Sequence, residues 1–240
     1  MKVDFRGRVD KLPLAASKCL LPVFEAVVNS IHAIEDRQVN NGHITIRFRR
    51  STSQGVLHDD VKKTDPIEDF EVHDNGIGFD ETNFDSFDTS DSRHKADRGG
   101  KGVGRLLWLK AFRKVVVDSV FESEGVRLRR RFDFLYSDTG IENNTTSDAP
   151  DAAIGTVVKL IGYKGNYKKK CPKTIEALAK AFIEHCASYL VMPSCPSIVL
   201  EDSTVGESRD LNQLFAENFQ VDSTDFEVKG RTFKLTHLKV

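Results

Sequence analysis

The sequence predicts an α/β two-layer sandwich, a mixed and largely antiparallel sheet with helices on one face. Three observations lead there. Ile44, Ile46 and Phe48 alternate with Thr45, Arg47 and Arg49, the period of a half-buried strand. Val23, Val27, Ile31 and Ile34, and again Ile175, Leu178, Phe182 and Cys186, follow helical spacing. Further strand-like runs at about 115–122, 126–135 and 154–162 are separated only by a glycine-marked turn and a polar loop.

Composition bounds the answer. A chain of 240 residues, 39% hydrophobic, can bury one large core or two smaller ones. With 35 basic and 36 acidic residues the net charge is −1, so nothing global points to nucleic acid or a membrane surface. Cys19, Cys171, Cys186 and Cys195 form no Cys-x-x-Cys pair, which argues against a zinc site or a disulfide framework and for a reduced, cytoplasmic location. The first ten residues are charged, and no apolar run approaches the roughly 20 residues of a membrane span. Asn143 and Asn144 match a glycosylation pattern, read here as chance loop sequence.

In chain order, residues 1–13 show no clear pattern. A helix is expected from about Leu14 to Arg37, with Pro22 starting a second segment. The 44–48 strand follows the Asn40-Asn-Gly42 turn, and polar 51–66 reads as a hairpin loop. In the next strand Phe70 and Val72 share the parity of Asp74, so Asp74 points inward and needs a partner. Residues 80–98, rich in Asp and Ser without a strong period, read as a mobile flap. Gly99 to Gly104 then run into Arg105–Phe112, a helix whose N-terminus favours anions. Residues 136–153 read as a polar loop, 197–200 as a short strand, 211–215 as helix and 226–235 as a hairpin. The expected domains are 1–220 and, from 221 to 240, the start of a second one.

Glu25 and Asn29 lie one helical turn apart and project with His32 and Asp36 away from the apolar stripe. Any amphipathic helix has such a face, so the stripe alone assigns nothing. Order adds information: Glu-x-x-x-Asn on a helix, Asp74-x-Gly-x-Gly after a strand, Gly-Gly-Lys-Gly-Val-Gly opening a helix, and Gly155-Thr156 in a late strand. Neither the phosphate-binding loop with Gly-Lys-Ser/Thr nor the dinucleotide Gly-x-Gly-x-x-Gly fingerprint is present.

These four boxes resemble the GHKL superfamily of DNA gyrase, ninety-kilodalton heat-shock chaperones, histidine kinases and MutL, over roughly residues 14–162. The resemblance implies the Bergerat ATP-binding fold, with ATP and Mg²⁺ between helix and sheet. It assigns Asn29 to Mg²⁺, Asp74 to the adenine amine with Thr156 nearby in the same polar network, and Gly76, Gly78 and Phe79 to the surroundings of the base. Gly100, Lys101, Gly102, Val103 and Gly104 would wrap the phosphates. Glu25 would be the catalytic residue that orients and deprotonates the attacking water. That glutamate favours hydrolysis; a histidine-kinase-like phosphotransferase and a nucleotide-binding switch remain the alternatives.

Within the superfamily the chaperone, MORC and MutL-like branch is the nearest, implying lid closure, ATP-dependent homodimerisation, and a client protein or DNA as partner. His32 departs from the branch, where Asp is common, and reads as a structural or solvent-facing residue. Lys164, Lys168–Lys170 and Lys173 read as a solvated loop rather than a nucleic-acid contact, Arg127, Arg129 and Arg131 as the wet face of a strand, and Trp108 as core.

Overall fold

Asp4 accepts a hydrogen bond from the Gly7 N–H at 2.9 Å and so caps α1, Phe5–Lys11. This short helix lies in the stretch where the sequence shows no pattern. The computed structural model describes residues 4–51, 63–88 and 104–239. A 3₁₀ turn, Ala16–Lys18, precedes α2, Leu21–Arg37, with Pro22 in its first turn. The expected Leu14–Arg37 helix is therefore two pieces, and Pro22 begins the long one.

Strands β1 (His43–Arg50) and β2 (Ile67–Asp74) form an antiparallel pair, and α3 spans Glu81–Asp88. Next come α4 (Gly104–Ala111), β3 (Phe112–Ser123), β4 (Val126–Leu135), β5 (Ile141–Asp148) and β6 (Gly155–Tyr163). The chain continues through α5 (Gly165–Lys168), α6 (Ile175–Leu190), β7 (Ser197–Asp202), β8 (Glu207–Asp210) and α7 (Leu211–Asn218). It then forms the hairpin β9 (Gln220–Val228) and β10 (Arg231–Lys239). The eight-stranded sheet has the order β5-β4-β3-β6-β2-β1-β7-β8; β1 and β7 are parallel and the other pairs antiparallel. The β9–β10 hairpin is a separate two-stranded sheet turning at Lys229-Gly230, both with positive φ.

Register builds the core. Ile46, Val72, Val158, Val117 and Phe132 form one lateral row, and Phe70, Leu160, Val115 and Phe134 the next. All are buried; α2 covers the β1, β2 and β6 part of the sheet with Val23, Val27, Ile31 and Ile34, while Phe84, Phe87 and Trp108 of α3 and α4 cover Phe132 and Phe134. The opposite face is charged and wet: Arg47 meets Glu201, Lys159 meets Glu71, and Arg129 and Arg131 both meet Asp118. One face apolar and one wet is the signature of an antiparallel sheet in a two-layer sandwich.

Three expectations need correction. Residues 81–88, expected as part of an irregular flap, form the helix α3. Asp80 accepts from the Asn83 N–H at 2.7 Å, and Phe84 and Phe87, three apart, turn α3 onto Phe132; residues 89–98 lie outside the described set. The polar loop expected at 136–153 contains β5, an edge strand whose shape comes from backbone pairing with β4 rather than from apolar alternation. The lysine loop is held down: Lys164 donates to the Leu109 carbonyl at 2.6 Å, and Lys168 pairs with Glu68.

At the other end of the sheet Arg50, 1% exposed, donates to Asp202 at 2.6 Å and to the carbonyls of Asp65 and Lys173. Breaking a buried pair strands the surviving charge, which costs about 3–5 kcal/mol. Asp202→Ala is expected to lower the unfolding free energy by that order in urea titrations. A loss below about 1 kcal/mol would show that the guanidinium is satisfied by its carbonyls alone.

Candidate functional site

A third lateral row on the inner face breaks the apolar pattern. Asp74, Thr156, Ser119 and Arg130 sit side by side on β2, β6, β3 and β4. Polar groups under a helix need partners, and this row supplies its own. Ser30 Oγ on α2 donates to Asp74 Oδ2 at 2.7 Å, and the Gly76 N–H donates to Asp74 Oδ1 at 2.8 Å. The hydroxyls of Ser119 and Thr156 lie 2.9 Å apart, and Ser119 Oγ also accepts from the Phe79 N–H. Burial pushes the Asp74 carboxyl up to about 6, against the lowering effect of Ser30 and Gly76.

The turn after β2 is clamped to α2. Arg37 donates to the Asn75 carbonyl at 2.7 Å, and the Ile77 N–H to the Ala33 carbonyl at 3.0 Å. Gly78 has φ +84, and a Cβ there would meet the Val120 carbonyl oxygen at 2.5 Å. Beyond it, Arg130 donates to the Phe79 and Asp80 carbonyls at 3.0 and 3.1 Å, pairs with Glu81, and lies against the rings of Phe84 and Phe121. Thr156, Ser119, Phe79, Arg130 and Glu81 thus form one chain of contacts from the floor of the site to α3.

Above this floor opens a cleft of about 180 Å³, roofed by α2 and walled by α3 and α4. Glu25, Asn29, Ser30, Asp74, Gly78, Phe79, Gly104 and Thr156 line it, so the structure brings together the expected residues it describes, except Gly76. Gly76 acts one step back, through its N–H on Asp74. Gly100, Lys101, Gly102 and Val103 lie outside the described residues.

Burial raises the Glu25 carboxyl, and its tip rests against α4, where a Cβ on Gly104 would come within 2.1 Å of Oε2. Among the described residues, neither Glu25 nor Asn29 has a hydrogen bond or ion pair. A buried-leaning carboxylate and a carboxamide oxygen four residues apart, both unpartnered and facing one cleft, can hold a water and a hard cation. No group of three or more His, Cys, Asp or Glu gathers to hold a metal among the described residues, so a cation would take most of its oxygens from ligand and water.

No family model matches the chain, and no curated protein does.

The polar stripe expected on α2 divides. His32 turns to α6, where its ring nitrogen lies 3.2 Å from the Tyr189 hydroxyl, so it is a packing residue. Sequence reasoning missed Ser30, Ser119, Asn83, Arg105 and Arg130. For Arg130 a signal existed, its parity with Leu128 and Phe132, which sets it opposite to Arg129 and Arg131. Trp108 is 1% exposed, as expected of core, yet it also lines the cleft, and its indole N–H has no hydrogen-bond partner among the described residues.

Proposed function

We propose that the chain is an ATP-binding and ATP-hydrolysing domain of the GHKL type, with the Bergerat fold, and that Mg²⁺ accompanies the nucleotide. The observation that carries this reading is the inward carboxylate of Asp74, held by Ser30 and Gly76 at the bottom of a half-apolar cleft and facing the unpartnered Glu25 and Asn29. A planar base with an exocyclic amine fits between Phe79, Ala33 and Val158, its amine donating to Asp74 and its edge beside Thr156. At about 180 Å³ the described cleft suits a ring system better than a drug-sized ligand, which takes ~300–1,000 Å³, so the phosphates would run out toward Gly104.

In this reading Asn29 gives one oxygen to Mg²⁺. Glu25 accepts the proton of the attacking water, its basicity raised by burial. Gly104, with Gly100 to Val103, lies along the phosphates. The β9–β10 hairpin, a sheet of its own, stands apart from the ATP-binding unit, and ATP-dependent homodimerisation couples hydrolysis to a client protein or DNA. Four free cysteines suit a cytoplasmic protein, and no single described helix is long and apolar enough to cross a membrane.

The direct test is calorimetric titration with MgATP together with phosphate release. Trp108, the single tryptophan, lies in the cleft wall and gives an independent fluorescence signal for the same event. Saturable binding with slow phosphate release is expected. Absence of both heat and fluorescence change at millimolar MgATP would end the reading, and label transferred to protein in place of free phosphate would make the domain a kinase.

A further inference from the structure

We propose that Arg105 is the side chain that selects for the polyphosphate of the ligand. This rests on the nucleotide reading above. The charge of the cleft motivates it. Its described lining holds two acids, Glu25 and Asp74, and Arg105 is the only cation among those described residues. A nucleoside triphosphate brings several more negative charges into a space walled by Phe79, Phe87, Trp108 and Val158, where water screens them poorly. One Mg²⁺ bound through Asn29 offsets only part of that charge. A guanidinium offers a planar fork of donors matched to phosphate oxygens.

Position supports the role. Arg105 follows Gly104, the residue that meets the Glu25 carboxylate, in the first turn of α4, on the side of the cleft to which the phosphates would extend. Trp108 is three residues on and lines the same cleft, so this face of α4 looks inward. The guanidinium lies 5.1 Å from the centre of the Phe87 ring, which itself packs on Trp108 at 5.9 Å. Stacking on an aromatic face fixes the plane of an arginine, and a guanidinium carries five N–H donors, enough to serve more than one acceptor. Arg105 therefore bridges α4 and α3 through the Phe87 ring and stands in the wall of the cleft.

The experiment compares adenosine, AMP, ADP and ATP, with and without Mg²⁺, by calorimetry on wild type, Arg105→Gln and Arg105→Lys. In Arg105→Gln, ATP affinity is expected to fall about tenfold or more, with adenosine unchanged, because hydrogen bonds to charged groups dominate only the phosphate end. Arg105→Lys is expected to recover part of the loss, since charge returns without the planar fork. An equal fall for adenosine and ATP would reassign Arg105 to packing on Phe87, and an unchanged ATP affinity would remove it from the site. Both results leave the nucleotide reading standing. Wild-type protein that binds none of the four ligands would remove the reading and the Arg105 role together.

Discussion

Asp74→Asn is expected to abolish adenine nucleotide binding, a loss of at least about 100-fold, while the fold at pH 7 is no less stable than wild type. The asparagine can keep its oxygen for the Gly76 N–H and donate its amide to Ser30 Oγ, whose hydroxyl rotates, so both wild-type contacts survive with one reversed. The ligand does not have that freedom. An exocyclic amine that met a carboxylate now meets an N–H, and two facing donors leave both unsatisfied. Calorimetry checks the loss, and retained micromolar affinity would show that the base sits elsewhere.

Stability moves the other way because Asp74 is held at about 6, above its ordinary 3.8. The folded protein binds this proton more tightly than the unfolded chain does. The resulting stabilisation is complete below about pH 4 and disappears as pH rises through 6. At neutral pH the wild type therefore carries a buried carboxylate at a cost of up to about 3 kcal/mol, which asparagine removes. Melting curves at pH 5 and 7 are expected to show the variant's advantage shrinking at the lower pH. Ligand binding should weaken below pH 6, since it uses the ionised form. A carboxylate kept at such a cost is the pattern of a functional site.

Glu25→Gln is the second large effect. The variant is expected to bind MgATP with near wild-type affinity and to hydrolyse it about 10²- to 10⁴-fold more slowly, the usual contribution of a general base. Glutamine has the same shape, so the close seat against Gly104 is kept. Removing the charge also relieves burial of a carboxyl that desolvation already pushes up, and the fold should not suffer. Equal single-turnover rates in both proteins would end the catalytic assignment and favour a switch that scarcely hydrolyses.

Legibility in the sequence followed the source of each element's order. Residues 44–49 of β1 and 70–73 of β2 alternate between apolar and polar, because one face meets α2 and the other water, and the same parity sends Asp74 inward. The β5 strand, Ile-Glu-Asn-Asn-Thr-Thr-Ser-Asp, is exposed on nearly every residue and owes its conformation to the neighbouring backbone, which leaves no periodic trace. In α3 only Phe84 and Phe87 mark the buried side, too few for a period among acids and hydroxyls. The site divides similarly. Glu25, Asn29, Asp74 and Thr156 were found through spacing within short motifs. Ser119 and Arg130 join them only through the register of β3 with β6 and β4, pairings no local pattern encodes.

Strand order also dictates how the molecule can be made. The β1–β2 hairpin lies between β6 and β7, both supplied by much later parts of the chain. On the ribosome, at about 5–20 residues per second, the hairpin emerges with two bare edges and waits several seconds for its neighbours. Helix α2, made earlier still, cannot bury its stripe against a finished sheet until β6 arrives. Such non-local pairing places this chain among slow folders, with the nascent intermediate guarded by the alternating charges of Arg47, Arg49, Glu71 and Asp69.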